Sequence, residues 1–196
     1  DDETLFTNNS GETFVHKLQY KLNRILPADI AVQKIVRVRP DAHARFDAVE
    51  RTYYYYITTE KNPFRVEHYY RIPFDVDFGR MNEAADLLVR KGDFASFAKT
   101  NSDVKTTICD VRRAVWVDLG DNAWRFEITA DRFLRNMVRA VVGTLLDVGR
   151  GRMQPSDMEN VLRNRNRCAA GESVFGGALF LHEVKYPANV FDYELP

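Results

Sequence analysis

The stretch from Phe133 to Gly151, FLRNMVRAVVGTLLDVGRG, constrains this chain most, because its apolar residues and its arginines separate onto different sides of one predicted helix. Phe133, Leu134, Met137, Val138, Val141, Val142, Leu145 and Leu146 recur at intervals of three and four, the spacing of a core-facing stripe. Arg132, Arg135 and Arg139 share another row, and Gly143 continues it with no side chain, so a backbone or a flat ligand could come very close there. The bland reading of the arginines is a solvated ladder of surface charge. Composition weighs against it: from Arg132 to Arg167 there are eight arginines and no lysine, opposed by Asp147, Asp157 and Glu159. Arginine alone offers a planar fork that meets phosphate or carboxylate through two hydrogen bonds and stacks on rings. A polyanion with flat bases is its natural partner.

The chain has 196 residues, 45% of them hydrophobic, with thirteen Phe and nine Tyr, which is ample for a globular core. Its formal charge is zero, so attraction to a polyanion must be local to one face, with acids such as Asp1 to Glu3 and Asp75 to Asp77 providing the balance. Cys109 and Cys168 stand alone, without metal-ligand spacing, and read as free thiols of a reducing compartment; no metal site is expected. No stretch has the length of a membrane span and no secretory leader is seen, which points to the cytoplasm. The chain opens on Asp1 rather than Met and runs at once into the cap-like Thr7-Asn8-Asn9-Ser10, as a fragment of a longer polypeptide would.

Ser10, then Thr13-Phe14, Leu18, Leu22, Ile25 and Leu26 before Pro27, predict a capped amphipathic helix. Ile30, Val32, Ile35, Val36 and Val38 suit a following strand, ended at Arg39-Pro40-Asp41. Arg45 to Thr59 is a second extended segment. A helix is expected from about Phe78 to Arg90, stopped by Gly92, and a hairpin from Ile108–Leu119 and Asn122–Ala130 about Gly120-Asp121. A helix carrying Met158, Val161 and Leu162 starts near Pro155-Ser156-Asp157, and Ala178 to Tyr186 is a closing strand. Strands and helices mix without βαβ alternation, which argues for an α+β fold.

Arg51-Thr52-Tyr53-Tyr54-Tyr55-Tyr56-Ile57 is the second unusual feature. In a strand Tyr53 and Tyr55 share one face, and Tyr54 and Tyr56 the other. Most of these rings are expected to be sheet packing; one, beside arginines, could stack on an unpaired base and carry a hydroxyl able to move protons. No histidine has neighbours that point to catalysis. With no Gly-rich phosphate loop, HExxH or GxSxG, readings as a nucleotide hydrolase, zinc protease or serine hydrolase have no support.

HARFDAVERTYYYYI, then GDFASF, then FLRNMVRAVVGTLLDVGRG and a closing ALFLHEVKYP, in this order from about residue 12 to 187, resemble the tRNA pseudouridine synthase A family. The resemblance implies an α+β pseudouridine synthase fold, a mainly antiparallel sheet backed by helices in ferredoxin-like halves. Residues 1–41 would complete a first half-domain and 42–196 form the second. It implies isomerisation of uridine to pseudouridine at positions 38–40 of the tRNA anticodon stem-loop, with no metal or organic cofactor, by a cytoplasmic homodimer. It also implies a nucleophilic Asp in a G-R-T-D-A-G-V-H segment, which these residues lack: Asp1, Asp2 and Glu3 have none of its flanking residues. The chain by itself is therefore expected to be inactive.

By the same resemblance Arg139 holds the nucleophile ionised, Tyr53 stacks on the flipped uridine and could accept the C5 proton, and Leu179 packs near the base. Arg45, Arg51, Arg132 and Arg135 are the implied phosphate contacts. Ser173-Val174-Phe175-Gly176-Gly177 departs from the family's alanine-rich approach to the last strand. A non-catalytic RNA-binding module built on the same arginines and tyrosines is the alternative, and a dimerisation piece the third reading.

Overall fold

A computed structural model describes residues 14–100 and 105–191. The expected Ser10 cap and Thr13, and the acids Asp1 to Glu3, lie outside the described residues. The described chain falls into two compact units, one formed by residues up to His43 together with 188–191, the other by Ala44–Pro187.

In the first unit, helix α1 (Phe14–Ile25) forms as predicted, with Leu18, Leu22 and Leu26 half-buried along one stripe before Pro27, whereas Phe14 and Ile25, expected on the same face, are exposed. The strand expected over Ile30 to Val38 does not form; Val38 makes one isolated bridge to Phe191. The physical reason lies in α1. Asn23 accepts from the Val32 amide (2.7 Å) and donates to its carbonyl (2.9 Å), while Gln19 donates to the carbonyls of Val32 (3.0 Å) and Gln33 (2.8 Å). Side chains thus take the backbone groups that a neighbouring strand would have needed.

The second unit is built on six strands: β1 (Glu50–Thr58), β2 (Tyr70–Arg71), β3 (Lys91–Asp93), β4 (Ile108–Asp118), β5 (Ala123–Ala130) and β6 (Leu179–Lys185). The order is β2-β1-β5-β4-β3, with β6 also on β1. One edge of β1 is therefore shared lengthwise: β6 runs antiparallel along Glu50 to Tyr55, and β2 lies parallel to Ile57 and Thr58. The remaining pairs are antiparallel, as expected. The β4–β5 hairpin turns through Gly120, Asp121 and Asn122, all at positive φ (75°, 50°, 55°), where residues of these three types are tolerated.

Three helices accompany the sheet: α2 (Phe78–Asp86), α3 (Met137–Gly149) and α4 (Asp157–Asn164). Eleven residues of α3 are buried, leaving out Arg139 and Asp147. The two exceptions are half-buried and share a row with Gly143 at four-residue spacing. The helix starts later than Phe133, because Asn136 sits in the left-handed region (φ 70°) and the Asp131 carboxylate takes the Arg132 amide (2.7 Å) while fastening this stretch to the Asp110 amide of β4 (2.7 Å). Arg132 and Arg135 consequently lie in the 131–136 loop, and the expected three-arginine row does not exist. Leu134 is nevertheless buried, and Phe133 packs on the same core.

Helix α2 ends at Asp86 rather than near Arg90. The chain turns there so that Lys91 to Asp93 can pair with β4, and Gly92 falls inside β3. Helix α4 buries Met158, Val161 and Leu162 as its spacing predicts. Among the described residues no helix is long and apolar enough to cross a membrane.

Tyr55 and Ile57 point into the core, and Tyr54 and Tyr56 to the other face of the sheet, as strand alternation requires. There Tyr54 stacks on His182 (ring centroids 3.9 Å apart) with the Arg125 guanidinium 4.3 Å from its ring centre. Beside them Glu127 is buried between Arg113 and Arg125. Burial pushes its carboxyl up, but hydrogen bonds from Arg125 and Arg113 outweigh that and hold it below the usual value of 4.5. A depressed carboxylate contributes stability that is complete above its ordinary value and is lost as pH falls through the folded one. Glu127→Gln should therefore lower stability at neutral pH by about 1–2 kcal/mol and flatten the acid limb, measured by urea unfolding between neutral pH and pH 3.

Candidate active site

The Arg139, Gly143, Asp147 row of α3 is covered by one segment of chain, residues 171–178. Gly143 makes the approach possible: a methyl group there would overlap the carbonyl of Glu172. Gly171 is confined less severely, against Thr144 and the Asp147 carboxylate, and its amide donates to the Thr144 hydroxyl (2.9 Å), which itself donates to the Ala140 carbonyl (2.8 Å). Asn136 and Arg167 both donate to the Ser173 hydroxyl (2.5 and 2.9 Å). The close backbone approach expected at Gly143 is realised, with the protein's own chain as the visitor.

Arg139 and Tyr55 hold the next two carbonyls of that segment. Arg139 Nε donates to Val174 O (2.6 Å), and the Tyr55 hydroxyl donates to Phe175 O (2.7 Å). Burial, aided by Tyr70 and partly countered by Arg139, raises the Tyr55 phenol far above its ordinary value, so it stays a neutral donor. The Leu179 amide then closes a turn on Gly176 O (3.2 Å) and leads into β6, where Leu179 lies opposite Tyr55. Gly176 adds no side chain beside the guanidinium; a methyl there would only reach ordinary contact with it. Among the described residues neither Nη group of Arg139 has a hydrogen-bond or carboxylate partner. The result is a half-buried cation, oriented through one nitrogen, with two parallel donors unoccupied: a receptor for a two-oxygen anion.

Arg139, Leu179 and Tyr55 thus come together, and Tyr53 follows on the same face of β1. Tyr53 is half-buried, with its ring edge-on to Phe133 (centroids 5.0 Å apart). Arg45 is exposed, its guanidinium 5.7 Å from the Phe46 ring centre. Arg132 is half-buried and Arg135 exposed, both on the 131–136 loop. The Arg51 guanidinium donates to the backbone carbonyls of Arg45, Ala48 and Asp131. Sequence reasoning missed Tyr55, Asn136 and Ser173. Only the strand alternation that pairs Tyr55 with Tyr53 could have pointed to the first. Among the described residues no group of three or more His, Cys, Asp or Glu could hold a metal ion.

Comparison with known proteins gives a consistent picture. Residues 84–187 match the family model described as tRNA pseudouridine synthase. The chain is 54% identical over 178 residues to the tRNA pseudouridine synthase A of Bacteroides fragilis, covering 91% of this chain and 71% of that protein. It is 56% identical over 177 residues to that of Parabacteroides distasonis, covering 90% and 70%. With the Bacillus subtilis protein of the same name the identity is 36% over 169 residues, covering 85% and 68%.

The contact at Gly143 yields a stability test. Gly143→Ala must push the 171–178 segment off α3 and should cost about 3 kcal/mol, read as a lowered thermal midpoint. Tyr55→Phe, which loses one buried hydrogen bond without changing volume, should cost about 1 kcal/mol.

Proposed function

We propose, because the chain belongs to the tRNA pseudouridine synthase A family, whose members isomerise uridine to pseudouridine in tRNA, that Arg139 is the electrostatic centre of that reaction here. The reaction breaks the N1–C1′ glycosidic bond, turns the uracil, joins C5 to C1′, and moves one proton from C5 to N1. No atom is gained or lost, so neither a redox cofactor nor a metal is required. What it needs is a carboxylate kept ionised, a cation that aims it, and a surface that retains the detached base.

The observation that carries the reading is the pair of unoccupied Nη donors on a guanidinium anchored through Nε. Guanidinium is always charged, so it would hold a carboxylate ionised and orient it through two hydrogen bonds. No acid among the described residues occupies that place, and in this reading the nucleophile belongs to a segment of the G-R-T-D-A-G-V-H type. Tyr53 stacks on the flipped uridine and Leu179 borders it, while Arg45, Arg132 and Arg135 meet phosphates. The substrate is the anticodon stem-loop at positions 38–40. Residues 42–196 act as the second half-domain, after a first half-domain that ends near residue 41, and the protein works as a cytoplasmic homodimer.

Release of tritium from [5-³H]uridine-labelled tRNA by the protein as encoded tests this. Arg139→Ala should lower kcat at least ~100-fold with the fold retained, and Arg139→Lys should restore little, because a single point charge cannot serve Val174 O and a carboxylate together. Turnover by Arg139→Ala at the wild-type rate would overturn the assignment. Tight tRNA binding without any tritium release from the wild type would favour a non-catalytic RNA-binding module.

A further inference from the structure

The geometry points to Arg51 as a positioning residue that locks two RNA-facing loops into one unit, in place of the phosphate contact expected of it; this rests on the tRNA reading above. Arg51 stands two residues before Tyr53 on β1. Its Nη1 donates to Ala48 O (2.6 Å) and Asp131 O (2.7 Å), and its Nη2 to Arg45 O. Arg45 and Ala48 belong to the turn that precedes β1. Asp131 follows β5, eighty positions along the chain, and opens the loop that carries Arg132 and Arg135.

Three carbonyl oxygens converge on one half-buried cation and take three of its five N–H groups. The junction is braced from behind: the Asp131 carboxylate accepts from the amides of Asp110 and Arg132 (2.7 Å each), and the Asp131 amide donates to Asp110 O (3.2 Å). One loop therefore carries Arg45 with the exposed Phe46 ring, the other carries Arg132 and Arg135, and beyond the Arg51–Ala130 pairing of β1 with β5 one guanidinium ties the two loops together. Phosphates along an RNA strand have a set spacing, so cations on two independent loops would pay an ordering cost that a locked pair avoids.

Lysine discriminates between the two roles. An ammonium satisfies a phosphate nearly as well as arginine does, but it cannot span three carbonyls that require a planar fork. tRNA binding by Arg51→Lys, Arg45→Ala, Arg132→Ala and the Arg51→Lys/Arg45→Ala double variant should be measured at one salt concentration. The assay temperature should be one at which circular dichroism shows every variant folded. Arg51→Lys should weaken binding roughly tenfold, and Arg45→Ala, costly in the wild type, should add little on top of it.

Wild-type affinity in Arg51→Lys, whether or not its thermal midpoint falls, would overturn the inference and leave the tRNA reading intact. So would an Arg45→Ala effect of equal size in both backgrounds. Unchanged affinity in both Arg45→Ala and Arg132→Ala would remove the phosphate contacts themselves, and the inference with them.

Discussion

Because Gly143 carries no side chain, the Glu172 carbonyl lies directly on α3, and the chain that follows passes where Arg139 and Tyr55 can each take one of its carbonyls. Every later feature of the site follows from that approach. A buried helix has little room for a charged residue, and Arg139 is accommodated because Val174 O meets its Nε while the outer end of the guanidinium remains available. The same segment, once held, delivers Leu179 to the edge of β1 opposite Tyr55. A cation, a phenol and an apolar side chain are thereby gathered around one short stretch of backbone.

Strand β1 does two further jobs through its period of two. Its inward residues, Tyr55 and Ile57, are core; its outward ones, Tyr54 and Tyr56, belong to a separate aromatic cluster with His182, Tyr69 and Phe180. Its first residues tie down neighbouring chain: Glu50 pairs with Arg112 of β4 and Lys185 of β6, and Arg51 gathers three carbonyls. Arg51 and Arg139 thus differ in use. Arg51 is consumed by the fold, while Arg139 is only oriented by it.

The apolar periodicity of residues 133–149 picked out Leu134, Met137, Val138, Val141, Val142, Leu145 and Leu146, all buried even where the helix has not begun, because burial depends on direction and tolerates a change of backbone. Phe133 is only half-buried, and Ala140, Thr144 and Val148 are buried outside the stripe. The periodicity misplaced the helix start, since nothing in the local pattern shows Asn136 in a left-handed conformation or Asp131 fastened to the Asp110 amide of β4. The strand expected over 30–38 failed for a related reason. Alternating apolar residues state a preference for extended backbone, yet Asn23 and Gln19 compete for the same hydrogen bonds. The hairpin at Gly120 was readable because its turn chemistry is local.

From sequence alone came the residue types that matter, the family resemblance, the Tyr53/Tyr55 alternation and the need for a bare backbone at Gly143, all of which follow from short-range periodicity and side-chain chemistry. Only the tertiary structure decided what each guanidinium is bonded to, that Arg132 and Arg135 leave the helix of Arg139, and that Tyr55 holds the site's covering segment. Those outcomes depend on contacts across 80 and 120 positions of chain, such as Arg51 with Asp131 and Tyr55 with Phe175. Local pattern carries no information about which distant carbonyl will arrive.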